Sequence, residues 1–214
     1  KMVTMMGVSD EVICDNAFEL PLVINPLGEY ISKLGLTQLR IAETEKYAHV
    51  TYFFDGVLEM DIKGCKRILI PSSHVATYDV KPEMSAYEIT DKLIEEINNN
   101  EPDLIVLNYA NGDMVGHTGN YDAAVKGIEA VDSCIGRLIK NNVLDKYTLF
   151  LTADHGNCEV MEINGKMNTK HTTNLVPLIV TDKNINLKDG KLGDIAVSLL
   201  NIMNIDKPKE MTGN

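Results

Sequence analysis

The chain lacks paired cysteines, long apolar runs and any excess of positive charge, and each lack removes a class of function. Its four cysteines, Cys14, Cys65, Cys134 and Cys158, form no Cys-x-x-Cys pair. They read as reduced and mostly buried thiols, which points to the cytoplasm and away from a disulfide scaffold. No apolar stretch approaches the length of a membrane span. No charged start leads into an apolar run, so no signal peptide is expected. With 20 Lys and Arg against 31 Asp and Glu, the net charge is −11. A nucleic-acid surface would need a basic patch instead. No internal repeat or low-complexity segment is present. What remains is a chain of 214 residues, 44% hydrophobic, able to bury a sizeable core as a globular protein.

From Asn25 onward, strand-like and helix-like stretches alternate. Asn25-Pro26 reads as an N-cap followed by proline at the first helical position, with the helix running to about Lys33 and ending at Gly35. Tyr47 to Phe54 reads as a strand and Asp55-Gly56 as a turn. Lys66 to Ile70 is the next strand. Ser85-x-x-Glu88 has the form of a capping box opening a helix to about Asn98. A strand over Asp103–Asn108 follows. Tyr121 to Asn141 carries Ala124, Ile128, Val131, Ile135 and Leu138 at helical spacing. Strands are then expected over Tyr147–Thr152 and Val176–Thr181, with a short pair around Glu159–Ile163 and Lys166 between them. A last helix spans Leu192 to about Met203. This alternation predicts an α/β fold, a largely parallel sheet with helices on both faces.

Three segments at strand edges concentrate metal-ligand chemistry. Thr152-Ala153-Asp154-His155-Gly156-Asn157 places an aspartate and a histidine where a strand opens into a turn. Asp113 and His117 are four apart after Gly112, and share one side if that segment is helical. Lys170-His171-Thr172-Thr173 precedes an apolar run. Carboxylate oxygen and imidazole at the C-terminal ends of strands suit a borderline divalent ion. Two aspartates and three of the five histidines exceed one tetrahedral site, so a two-metal site is the natural reading.

The segments Gln38 to Thr51, Val75 to Ser85, Asn108 to His117, Asp154-His155-Gly156-Asn157 and Lys209-Glu210-Met211-Thr212-Gly213 occur in this order. Together they resemble the cofactor-independent (2,3-bisphosphoglycerate-independent) phosphoglycerate mutases of the alkaline phosphatase superfamily, from about residue 25 to the end. Members are over twice this length. The resemblance therefore implies a C-terminal fragment with an incomplete alkaline-phosphatase-like fold. Residues 1–24 would be the tail of a substrate-binding domain and a linker, and 25–214 the C-terminal part of the metal-binding domain. The family's nucleophilic serine, an upstream metal-binding aspartate and an arginine-rich domain have no counterpart here. Ser72 and Ser73 carry no family motif.

The resemblance assigns Asp113, His117 and His171 to a first ion, and Asp154 and His155 to a second that is incomplete in this chain. The ions would be two divalent metals, Mn²⁺ before Zn²⁺ or Co²⁺. Lys46 corresponds to the lysine that contacts substrate phosphoryl oxygens, with Glu43 and Glu45 placed to steer it by charge. Metals and local cations must offset the acidic field around a phosphorylated ligand. Asn157 and Thr172 would orient ligands; His49 and His74 read as structural. Gly112 stands where many members have proline, which loosens the backbone before Asp113. The implied activity is metal-dependent interconversion of 3- and 2-phosphoglycerate through a phosphoserine, in glycolysis, by a monomeric cytoplasmic enzyme. The isolated chain is expected to be inactive. The other readings are a phosphopentomutase or phosphatase, or a metal-binding module without catalysis.

Overall fold

Gln38–Glu43 forms the strand around which the chain is organised, and all six of its residues are buried. The structure, a computed structural model, describes residues 2–6, 13–19 and 22–214. In chain order its elements are β1 (Val3–Thr4), β2 (Asp15–Asn16), α1 (Leu27–Lys33), β3 (Gln38–Glu43), α2 (Thr44–Val50), β4 (Cys65–Ile70), α3 (Ala86–Asn100) and β5 (Leu104–Asn108). There follow α4 (Asn111–Gly116), α5 (Tyr121–Lys140), β6 (Phe150–Leu151), β7 (Glu162–Ile163), β8 (Lys166–Met167), β9 (Ile179–Val180) and α6 (Ile195–Ile202). The expected 1–24 linker lies partly outside the described residues.

β3 lies between β4 and β5 and is parallel to both. Alternation along the strands sends neighbouring side chains to opposite faces. Leu39 and Ile41 meet Ile89, Leu93 and Ile97 of α3 and Leu138 of α5 on one face. Leu104 of β5 meets Leu27 and Ile31 of α1 and Leu200 of α6 on the other. Full burial of each such aliphatic side chain contributes roughly 1.5–3 kcal/mol. The parallel α/β sheet with helices on both faces is thus the observed fold. Among the described residues, no helix is long and apolar enough to cross a membrane.

Several local expectations are corrected. Tyr47–Phe54 is not a strand: Thr44–Val50 is helical and turns follow to Gly56. The β-branched and aromatic residues there suggested a strand, but burial of Lys46 and Val50 follows the four-residue spacing of a helix face. The strand lies earlier, at β3, where Gln38, Arg40 and Glu43 hid it by their polarity. Arg40 is fully buried, donates to Gln38 Oε1 from Nε and Nη2 at 3.1 and 2.5 Å, and lies over the Phe54 ring.

The capping box at Ser85 does not form. Ser85 Oγ donates to the Pro71 carbonyl at 2.9 Å, and the helix continues to Asn100, ending at Glu101 in a left-handed conformation. Pro26 is the N-cap of α1, not its first helical residue. The buried stripe of α5 runs through Ala123, Ala124, Gly127, Ala130, Cys134 and Leu138, leaving Ile128 exposed. Of Tyr147–Thr152 and Val176–Thr181, only β6 and β9 form a ladder, and it is antiparallel. The chain between them holds the β7–β8 hairpin and no helix, so the crossover that parallel pairing needs is absent.

Candidate metal centre

The site gathers where the parallel strands end. α4 begins three residues after β5, and α2 follows β3 directly. Asn111 anchors α4: it is fully buried, and its Nδ2 donates to the Pro82 carbonyl at 2.8 Å. The segment around Gly112 is helical, so Asp113 and His117 share one side. His117 Nε2 lies 3.0 Å from Asp113 Oδ1.

His171 arrives from the loop after the β7–β8 hairpin. Its Nε2 is 3.1 Å from Asp113 Oδ1 and 3.1 Å from His117 Nε2. Three donor atoms therefore converge on one point. His117 Nδ1 lies 2.7 Å from the Thr169 carbonyl, an acceptor only, so Nδ1 carries a proton. Nε2 then faces the Asp113 carboxylate oxygen beside His171 Nε2. Asp and His donors fit a borderline divalent ion, and the carbonyl bond fixes the tautomer that such an ion requires.

Asp113 is held ionised. Burial pushes its carboxyl up, but hydrogen bonds from Lys46 and Asn157 and the charges of Lys46 and His117 outweigh this and bring the pKa to about 2. Lys46 Nζ donates to Asp113 Oδ2 at 2.5 Å, with its side chain 6% exposed. Asn157 Nδ2 donates to Asp113 Oδ1 at 2.7 Å and to its carbonyl at 3.1 Å. Gly116 makes room for this amide: a Cβ there would lie 2.6 Å from Asn157 Oδ1.

Asp154 and His155 occupy the turn after β6. His155 Nε2 lies 3.5 Å from Asp154 Oδ2, and its ring stacks on His171 at 3.7 Å between centroids. Single donor atoms of Asp113, His155 and His171 all lie within 4.8 Å of one another. His155 thus stands against the Asp113–His117–His171 set, while Asp154 stands at the rim, its side chain 48% exposed. Thr172 pairs its N–H with the Gly156 carbonyl at 2.8 Å.

Glu43 and Glu45 do not pair with Lys46. Glu43 is fully buried and accepts from Ser72 Oγ at 2.8 Å; burial raises its pKa, opposed by the Ser72 and Ser85 hydrogen bonds. Glu45 accepts from Tyr78 Oη at 2.6 Å. His49 sits one helical turn beyond Lys46; burial lowers its pKa, with Lys46 adding to the effect. Ser73 Oγ accepts from Lys81 Nζ at 2.8 Å. The burial of Glu43 beside Ser72 has no signal in the sequence, because 29 residues separate the two.

Residues 20–207 match the Metalloenzyme superfamily. A 2,3-bisphosphoglycerate-independent phosphoglycerate mutase from Clostridium botulinum is 56% identical over 195 residues, covering 89% of this chain and 38% of that protein. One of the same description from Hahella chejuensis is 54% identical over 217 residues, covering 99% and 41%. Among solved structures, Leishmania mexicana phosphoglycerate mutase at low cobalt concentration aligns with a TM-score of 0.84 at 26% identity, covering 99% of this chain and 43% of that one. PH0037 protein from Pyrococcus horikoshii shares the fold, with a TM-score of 0.56 at 17% identity over 84% of this chain and 45% of that one. The chain spans about two fifths of the length of the curated relatives it matches.

Proposed function

The chain belongs to the Metalloenzyme superfamily, and from that membership we propose that it is the metal-binding portion of a cofactor-independent phosphoglycerate mutase. The convergence of Asp113, His117 and His171, with Lys46 on the far oxygen of Asp113, carries this reading. Residues 25–214 would be that portion, and 1–24 the link to a substrate-binding domain. Asp113, His117 and His171 would hold one divalent ion, and Asp154 and His155 part of a second. Mn²⁺ is our choice among ions that accept such donors. When bound, the ions supply Lewis acidity toward phosphoryl oxygens.

The chain's own residues do the rest. Lys46 presents a buried ammonium with three N–H donors, of which Asp113 takes one. Among the described residues the other two meet no second carboxylate, and they would serve phosphoryl oxygens of 2- or 3-phosphoglycerate. Asp113 keeps the ammonium in place, and Asn157 keeps Asp113 in place. Thr172 ties the His171 loop to the turn carrying His155. The four free cysteines support a cytoplasmic setting.

Calorimetric Mn²⁺ titration of the chain, with the mutase assay on the whole gene product, tests this reading. Asp113→Ala is expected to abolish tight binding in the first and activity in the second. Full activity in that variant would refute it. The 214-residue chain alone is expected to show no interconversion above background.

A further inference from the structure

We infer that Glu159 is a positioning residue that joins the ligand-bearing segments into one unit, an inference that rests on the metal-binding reading above. Each of its carboxylate oxygens holds a different segment. Oε2 accepts from the Asn157 backbone N–H at 2.6 Å, two residues beyond His155. Oε1 accepts from the Thr172 hydroxyl, next to His171, and from Asn174 Nδ2 at 3.1 Å. Asn157 in turn donates from Nδ2 to Asp113 Oδ1 at 2.7 Å. One carboxylate thus reaches the His155 turn and the His171 loop directly, and Asp113 through a single side chain.

The surrounding backbone is shaped for this contact. Gly156 lies between the two loops, where a Cβ would come 2.2 Å from both Glu159 Oε1 and Thr172 Oγ. Only glycine lets the carboxylate and the hydroxyl meet there. Asn168 closes the hairpin that links the loops, donating from Nδ2 to the Val160 carbonyl at 2.7 Å and the Lys170 carbonyl at 3.2 Å. The charge of Glu159 is required, and not only its shape. All three partners are donors, and hydrogen bonds to an ionised acceptor are about twice as strong as neutral ones. A glutamine would turn an N–H₂ group toward one of them. Outer-shell partners of metal ligands typically carry about 10–100-fold in metal affinity.

The test titrates Mn²⁺ into the wild-type chain, Glu159→Gln and Thr172→Val, with urea unfolding of each metal-free chain alongside. Glu159→Gln is expected to weaken Mn²⁺ binding about 10–100-fold, and Thr172→Val less, with each metal-free chain still folded and unfolding in one cooperative transition. Equal affinity in wild type and Glu159→Gln, within about two-fold, overturns the inference and leaves the metal reading intact. A Glu159→Gln chain already unfolded without metal also overturns it, since Glu159 would then serve the fold at large. A wild-type chain that binds no Mn²⁺ overturns the metal reading and this inference with it.

Discussion

Replacing Gly116 with alanine sets two known effects against each other, and the structure says which prevails. Gly116 is the buried last residue of α4, so alanine should gain up to about 1 kcal/mol in helix propensity. The added methyl, however, would lie 2.6 Å from Asn157 Oδ1 and 2.9 Å from its Cγ. Asn157 must move. It then gives up a 2.7 Å bond to the Asp113 carboxylate and a 3.1 Å bond to the Asp113 carbonyl. A hydrogen bond to a charged group contributes roughly 1.5–3 kcal/mol and a neutral one roughly 0.5–1.5. The net expectation is a loss of about 1–3 kcal/mol. Equilibrium urea unfolding of the metal-free chain measures it, with the slope checked for constancy. A double-mutant cycle isolates the cause. In an Asn157→Ala background there is no amide to displace, and Gly116→Ala should become neutral or stabilising. An equal loss in both backgrounds would refute the reasoning, as would a Gly116→Ala chain that is as stable as wild type.

Two further outcomes follow from the buried charges. Lys46→Met leaves Asp113 without its cation but with Asn157 and two histidines, so we expect a loss of about 2–3 kcal/mol, below the roughly 3–5 of a fully broken buried pair. The Asp113 carboxyl, normally 3.8, is lowered to about 2, so its contribution is present above about pH 4 and is lost as pH falls toward 2. Unfolding midpoints between pH 5 and 3 should therefore fall less steeply in Lys46→Met than in wild type; parallel slopes would contradict this. Glu43 has the opposite sign: its folded carboxyl sits above 4.5 because of burial, so stability declines as pH rises from 4.5 through that raised value. Glu43→Gln removes the decline, and its melting temperature should exceed that of wild type by a margin that widens from pH 4 to pH 8. A constant or reversed margin would show that the Ser72 and Ser85 hydrogen bonds outweigh burial.

The sequence by itself determined the fold class and which residue types would carry chemistry. Period and punctuation are local properties: the apolar run before Asn108, the 3.6-residue pattern of α5 and the four-residue step from Asp113 to His117 are all legible without a partner in space. The tertiary structure decided what depends on distant neighbours. It made β3 a central strand despite Gln38, Arg40 and Glu43, because distant groups meet their polar atoms: Gln38 donates to the Gly28 carbonyl, Arg40 lies 3.7 Å from Asp55 and over the Phe54 ring, and Glu43 accepts from Ser72. It made Thr44–Val50 a helix, because Lys46 and Val50 had to face inward together. It turned β9 antiparallel to β6, because the intervening residues form a hairpin and not a crossover helix. It also moved Lys46 from its acidic sequence neighbours to Asp113, 67 positions away, and set the His155 ring against His171. Those pairings are set by which loops the sheet brings to one edge, and sequence spacing carries no record of that distance.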